Sequence, residues 1–285
     1  MILSIITINR NNAAGLEKTM ASVLAQTFTG FEYVVVDGAS TDGSVDVIRR
    51  YAKKFGERMK WISEPDAGIY NAMNKGMRMA SGNYYQILNS GDCLASPGVT
   101  ERMSTELQKH GYPAILYGNM VKCFQDGRKY VTHGFAGQPI TMLGMYKGTV
   151  DHDPTYIRSD LFEKYGEYDE NFRIVSDWKW FFKAIIDGGE KPEYVNIDVT
   201  LFDMSGISET NLSLRTKEKQ HALRELVNSS ILADYDEWAE AIDQMRRLKR
   251  YPVVYKTVWF IERCLFKVEK AKKNRAIRRD TIRYR

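Results

Sequence analysis

The sequence predicts an α/β fold: a mostly parallel central sheet flanked by helices, followed by a helical C-terminal extension. Three features predict it. Short apolar, β-branched runs alternate with helical patterns from residue 3 to residue 88. Two of those runs end in turns that carry Asp, and beyond residue 210 the apolar spacing becomes helical throughout.

Residues 3–8 (LSIITI) form a strand by their β-branched content, 9–15 a polar loop, and 16–25 a helix by their apolar spacing. Residues 31–36 (FEYVVV) form a second strand that ends at Asp37, and 45–55 a second helix. Strand, loop, helix and strand in this order make a βαβ unit, which lays its two strands side by side in parallel. Asp66-Ala67-Gly68 is turn chemistry, and the helix that opens at Ile69 ends at Ser81-Gly82. Residues 84–88 (YYQIL) form a strand that delivers Asn89-Ser90-Gly91-Asp92 to its C-terminal edge, the side where open α/β sheets bind ligands. A carboxylate there, with glycine beside it for close approach, suits a metal-bridged diphosphate. Asp37-Gly38 is equally ordinary as turn chemistry.

Farther on, residues 158–165 carry a short helical pattern, 166–171 a turn, and 178–186 a helix entered through Ser176-Asp177. An acid at that entry also suits an N-cap. Gly111-Tyr112-Pro113, Gly188-Gly189 and the glycine-flanked residues 142–146 read as loops. Residues 210–241 read as helix, with Leu212, Leu214, Leu223, Leu226, Ile231 and Leu232 as its buried positions, and Pro252 breaks or starts the next helix. A domain boundary is therefore expected near residue 210.

The chain of 285 residues is long enough to bury a substantial core, and its 44% hydrophobic and 27% charged residues are those of a globular protein in water. No apolar run reaches bilayer-spanning length, and Met1 leads directly into a strand with no room for a signal peptide. The three cysteines, Cys93, Cys123 and Cys264, lack metal spacing and suit a reducing, cytoplasmic location. Charge is uneven. Residues 246–285 hold 15 Lys/Arg against 3 Asp/Glu, a net of +12, whereas the whole chain is +5 and residues 1–245 therefore carry −7. The same tail contains Tyr251, Val254, Trp259, Phe260 and Phe266, so it has the composition of a segment lying on an anionic membrane surface.

The segments SIITINRNN, EYVVVDGASTDGS, SEPDAGIYNAMNKG and NSGD, in this order, resemble the family 2 glycosyltransferases of bacterial surface-polysaccharide synthesis, over roughly residues 1–210. The resemblance implies a GT-A fold, with a nucleotide-sugar half at about residues 1–95, an acceptor half at about 96–210 and a helical, basic extension over 211–285. It implies a nucleotide-diphosphate sugar as donor, Mg²⁺ or Mn²⁺ as cofactor, and inversion at the anomeric carbon. On the matching positions it sets Thr7, Asn9 and Asp37 against the nucleoside, with Asp37 taking a ring N–H. Asp66 and Lys75 line the same cleft, Asp92 binds the metal, and Asp177 is the general base, its pKa raised by burial. The NSGD segment departs from a two-acid pattern, because Asn89 and Gly91 leave Asp92 as its only carboxylate, so metal affinity without nucleotide should be weak. Asn71 stands where an Asp is common, and no acid–base role passes to it. His152, in Asp151-His152-Asp153, is a candidate acceptor contact or ligand, although most single histidines are neither.

The acceptor implied is a glycan or lipid-linked sugar hydroxyl, with the transferred hexose or N-acetylhexosamine left open and the basic tail touching the inner face of the cell membrane. Two other classes fit less of the chain. A sugar-phosphate nucleotidyltransferase would carry a glycine-rich basic loop near the N-terminus, and residues 9–15 hold one glycine. A nucleic-acid-binding protein would explain the basic tail alone and leave Asp37, Asp92 and Asp177 without a task, so no nucleic-acid partner is expected.

Overall fold

A computed structural model describes the backbone of residues 3–283 and the side chains of residues 3–273. The expected start at Met1 and the last basic side chains of the tail lie outside those described residues.

The first half follows the expected alternation: β1 (Leu3–Asn9), α1 (Ala13–Leu24), β2 (Phe31–Asp37), α2 (Ser44–Phe55), β3 (Met59–Ser63), α3 (Ile69–Met79) and β4 (Tyr84–Ile87). Strands β1–β2, β2–β3 and β1–β4 pair in parallel. Every residue of β1 and β2 is buried, which accounts for their unbroken apolar runs, since a parallel sheet is covered on both faces. Asn12 caps α1 through the Gly15 N–H, so that helix starts three residues before the expected one. Strand β3 was not expected, because MKWIS is short and its Lys60 is exposed. Gly76 lets α3 lie directly on β1: a Cβ there would come 2.4 Å from Ile6 Cγ2.

The second half is more mixed than the sequence pattern implied. It comprises β5 (Cys93–Leu94), α4 (Val99–Lys109), β6 (Ile115–Cys123), β7 (Lys129–Thr132), α5 (Met142–Lys147), β8 (Thr155–Arg158), α6 (Asp160–Tyr165), α7 (Ser176–Phe182) and β9 (Glu193–Asp203). The nine strands join one sheet in the order β3-β2-β1-β4-β8-β6-β9-β5, with β7 beside β6. Strand β8 runs antiparallel to β4 and β6, and β9 runs parallel to β6. Arg158 ends a strand instead of opening a helix, and the helix begins at Asp160. Residues 142–147 are the short helix α5, capped by Thr141, where a loop was expected. Strands β6 and β9 interleave Tyr, Asn, Lys and Asp with apolar residues, so neither strict alternation nor an apolar run announced them.

The C-terminal region is four helices, α8 (Ile207–Thr210), α9 (Leu212–Leu226), α10 (Ser229–Lys249) and α11 (Pro252–Arg283). The chain divides into two compact units, one ending at Val227 and one beginning at Asn228, so α9 stays with the sheet. Glu218 on α9 accepts the N–H groups of Arg173, Ile174 and Val175, and Glu225 pairs with Lys179. Of the six positions expected to be buried beyond residue 210, Leu223 is 5% exposed, whereas Leu212 and Ile231 are 53% and 48% exposed. Helical spacing marks an apolar face without saying whether anything covers it.

Glu32 ties the start of β2 to the β1–β4 edge. Its carboxylate accepts from the Ser4 and Ser81 hydroxyls and the Ser81 N–H, and it pairs with Lys60 at 2.8 Å. Burial pushes its pKa up, but Lys60, Ser4 and Ser81 outweigh burial and hold it at about 2. A folded-state pKa below the unfolded value contributes stability that is present above about pH 4.5 and lost as pH falls through about 2. Denaturant midpoints of the parent and of Glu32→Gln should therefore converge between pH 5 and about 2. A gap that stays constant over that window would show that Glu32 is not held in this way.

Candidate active site

The C-terminal ends of β1 and β4 and the turn that leads into α3 open onto a cleft of about 730 Å³, lined among others by Asn9, Arg10, Asp66, Asn89 and Asp92. A second cavity of about 500 Å³ adjoins it and is lined by α5, α7 and α9 residues. His152 lines both, whereas Asp92 faces the first and Asp177 the second.

The base of the first cleft is organised by Asp37, which has no solvent exposure. One carboxylate oxygen accepts from Asn9 Nδ2 at 2.8 Å and the Ser40 hydroxyl at 2.6 Å, the other from the Ser63 hydroxyl at 2.7 Å and the Ser40 N–H at 2.9 Å. Burial would raise its pKa, but these donors outweigh burial and hold it below the ordinary carboxylate value. Asp37 thus joins the ends of β1, β2 and β3. The adjoining turn includes Ala39 at φ 56°, a left-handed conformation uncommon for alanine, and Ser40 fastens that turn to Asp37. Gly38 is required by close approach: a Cβ there would lie 2.1 Å from Asp66 Oδ2. Asp66 faces the cleft with its carboxylate 3.8 Å from Arg10.

Three expected cleft residues stand behind its surface: Asp37, expected to take a ring N–H, is fully buried with both oxygens occupied by Asn9, Ser40 and Ser63, and Thr7 and Lys75 join it. Thr7 is fully buried, and its hydroxyl accepts from Tyr33 at 3.0 Å. It shares a face of β1 with Asn9 but sits two residues deeper in the strand, where Tyr33 holds it. Lys75 pairs with Glu64 at 2.7 Å and donates to the Pro65 carbonyl, bracing the turn that presents Asp66. None of the three lines the cleft.

The strongest electrostatics surround His152. Its Nδ1 lies 2.8 Å from Asp177 Oδ2, and its Nε2 lies 3.1 Å from Asn89 Nδ2 and 3.5 Å from Asp153 Oδ1. Burial alone would lower the imidazole pKa, but Asp153, Asp177 and Asp92 outweigh it and push it up to about 10. An imidazolium needs an acceptor at Nε2, and the buried Asn89 Oδ1 has no partner. Turning the Asn89 amide presents that oxygen to the ring.

Asp92 is 4% exposed and accepts the Asp203 N–H at 2.7 Å. Burial first, then the adjacent Asp153 charge, pushes its pKa well above the ordinary range. Asp153 is 2% exposed and its Oδ1 has no hydrogen-bond partner. Two neighbouring buried carboxylates with an unsatisfied oxygen are a donor set suited to Mg²⁺ or Mn²⁺. Among the described residues no group of three or more His, Cys, Asp or Glu side chains is arranged to hold a metal. A cation here would find only Asp92 and Asp153 as protein carboxylates.

Asp177 departs from its expected electrostatics. Burial does push its pKa up, but hydrogen bonds from His152 and from Tyr70, whose hydroxyl donates to Oδ1 at 2.8 Å, hold it below the ordinary value. It does not cap α7; Val175 occupies the cap position, and the Asp177 side chain turns to His152 and Tyr70. Asn71 and Asn74 both donate to Glu170, which fastens α3 to the turn before α7. Tyr70, Asp153 and Glu170 were missed as site residues. The acid flanking His152 was a usable signal for Asp153, but nothing local links Tyr70 to an aspartate 107 residues away.

The sequence model of Glycosyl transferase family 2 matches residues 4–176, more than half of the chain. A PGL/p-HBAD biosynthesis glycosyltransferase of Mycobacterium bovis (strain BCG / Pasteur 1173P2) is 27% identical over 210 residues, covering 73% of this chain and 80% of that protein. A glycosyltransferase of Mycobacterium tuberculosis (strain ATCC 25618 / H37Rv) is 31% identical over 209 residues, covering 72% and 76%. Among solved structures, S. aureus TarS 1–349 in complex with UDP-GlcNAc superposes with a TM-score of 0.62 at 19% identity, covering 74% of this chain and 61% of that one. The mannosyltransferase PcManGT of Pyrobaculum calidifontis, in complex with GDP-Man and Mn²⁺, gives 0.54 at 18% identity, covering 70% and 56%. At those identities the structural likeness concerns the fold, which is the GT-A-like α/β arrangement, and this chain spans about three fifths of the TarS chain.

Replacing Asp37 with Ala leaves Asn9, Ser40 and Ser63 without their shared acceptor. The ligand-free protein should lose about 1–3 kcal/mol of unfolding free energy, read by denaturant titration. Unchanged stability would mean that Asp37 does not join the three strand ends.

Proposed function

We propose that this chain, which belongs to glycosyl transferase family 2, moves a sugar from a nucleoside-diphosphate donor to a hydroxyl of a glycan or lipid-linked acceptor and inverts the anomeric centre. The observation that carries this reading is the arrangement around His152, which lines both cavities: Asp92 faces the first, and Asp153 and Asp177 face the second. The nucleoside lies along Asn9 and Asp66, above the Asp37 junction, and its diphosphate lies at Asp92. Asp92 would hold Mg²⁺ or Mn²⁺ there, and the cation would supply positive charge against the departing diphosphate. Ser205 to Ser208 also line the first cleft and close its phosphate end.

The acceptor enters the second cavity and its hydroxyl displaces the Tyr70 hydroxyl from Asp177 Oδ1. As the acceptor oxygen bonds to the anomeric carbon and the bond to the diphosphate breaks, the hydroxyl proton passes to Asp177. His152, hydrogen-bonded to the other oxygen, keeps Asp177 ionised and fixes its direction. A low carboxylate pKa makes a weaker base, but it secures the proton-free form at neutral pH. Attack opposite the leaving group inverts the centre with no covalent enzyme intermediate.

The second compact unit suits a membrane surface. Val253, Phe260 and Phe266 of α11 are 78%, 64% and 61% exposed, and they alternate with Lys and Arg. Among the described residues no helix is long and apolar enough to cross a membrane. We therefore assign this helix to the anionic leaflet that presents lipid-linked acceptors.

Nucleotide binding, turnover of a variant, product configuration and vesicle binding test these points. Melting curves with UDP and GDP, the bases held by the two structural neighbours, should rise with one of them and rise further with Mn²⁺; at about 100 times the dissociation constant the gain is about 2.7 kcal/mol. Asp177→Asn should keep that nucleotide shift and lose transfer by about 10²- to 10⁴-fold. Near-parental turnover sinks the base assignment, and a product that retains the donor configuration by NMR sinks inversion. Separately, the full chain should sediment with anionic vesicles at low salt and be released as salt rises. No sedimentation at low salt removes the membrane assignment.

A further inference from the structure

The second cavity holds a feature that proton transfer does not use. One face of α9 borders it: Arg215, Thr216, Lys219, Gln220 and Leu223. Arg215 and Lys219 are four residues apart, hence on the same side of the helix. Both are part-buried. The Lys219 ammonium donates to the Gly148 carbonyl at 2.9 Å and lies 4.8 Å from the centre of the Trp178 ring. Among the described residues no carboxylate pairs with it. Burial, and then the neighbouring Arg215 charge, lowers its pKa to about 8.

The acids of the same cavity are committed elsewhere. Asp177 is engaged by His152 and Tyr70, and Asp153 lies beside His152. Glu209 is shared by Lys122 at 3.0 Å and Arg215 at 3.6 Å. Asp151 also lines the cavity, but it exerts no resolved pull on Lys219. The cavity is thus polar at two ends, with carboxylates around His152 and an uncompensated ammonium on α9. Holding a lysine out of water with only a carbonyl and a ring face is costly unless an anion completes its surroundings.

We propose that Lys219, assisted by Arg215, forms an anion subsite of the second cavity that selects acceptors carrying a phosphate or carboxylate group. The inference rests on the reading of this cavity as the acceptor side. It adds a substrate class: the hydroxyl donor is an anionic sugar or sugar phosphate, with its charge on α9 while its hydroxyl meets Asp177. The first cleft does not include Arg215 or Lys219, so this anion is distinct from the donor diphosphate.

The test is calorimetric titration of the full chain with glucose 1-phosphate, glucuronate and glucose, each with and without saturating UDP or GDP plus Mn²⁺. Nucleotide fills the first cleft and leaves the second cavity to the probe. At least one anionic probe should bind about 10- to 100-fold more tightly than glucose. The tighter of the two names a phosphate or a carboxylate as the source. Lys219→Met should abolish the preference while leaving nucleotide binding at the parental value, and Arg215→Gln should reduce it. A melting curve verifies that each variant is folded, and Arg215→Gln serves alone if Lys219→Met is not. Equal binding of glucose and the anions, no binding of either anion, or a preference that survives in the folded variants overturns the subsite. Failure of the nucleotide to bind removes the donor reading instead, and the Lys219 dependence is then read from the nucleotide-free titration.

Discussion

A single imidazole set among buried carboxylates organises this molecule. His152 is pulled toward its cationic form by Asp153, Asp177 and Asp92 against the tendency of burial. Removing one partner of such a buried arrangement costs several kcal/mol, because the remaining charges are left without compensation. The carboxylates come from distant parts of the chain: Asp92 follows β4, Asp153 precedes β8, and Asp177 opens α7. The imidazole therefore fastens the parallel half of the sheet to the helices of the second half. It also lines both adjoining cavities.

That arrangement explains why this glycosyltransferase family member has different electrostatics on each side of His152. On the Asp92 side, like charges crowd without enough donors, and the carboxylates are driven toward protonation or toward a cation. On the Asp177 side, two donors saturate one carboxylate and hold it ionised. Equal burial would raise both acids alike. Hydrogen-bond donors decide the difference, since each donor to an ionised carboxylate favours that form. Asp37 repeats the second pattern at the strand ends, where its bound donors make it a rigid floor for Asn9 and Asp66.

Much of the first half was legible in the sequence for a physical reason. A strand buried on both faces must be apolar throughout, as in LSIITI and FEYVVV, and its turn must carry residues that bond their own backbone, such as Asp37 with Ser40. The register of motifs led to the family as well. In the second half, β6, β8 and β9 escaped notice because their alternation is interrupted by polar residues that bond across the sheet, including Asn119 to Asp198 at 2.9 Å. The place of α9 was equally hidden, because the carboxylates that hold it, Glu218 and Glu225, read as ordinary surface charges of a helix.

By itself the sequence determined the α/β class and the acids at the strand ends, because local periodicity and turn chemistry require no distant partner. Tertiary structure decided what those acids do. Thr7 and Lys75, matched to a motif, stand behind the cleft surface, since a hydrogen bond from Tyr33 and a salt bridge to Glu64 hold them there. Tyr70 and His152 meet at Asp177 from positions far apart in the chain, and only that meeting reverses the shift that burial imposes on its pKa. A residue's type and neighbours in sequence specify which charges are available; the charge each one carries depends on what the fold packs against it.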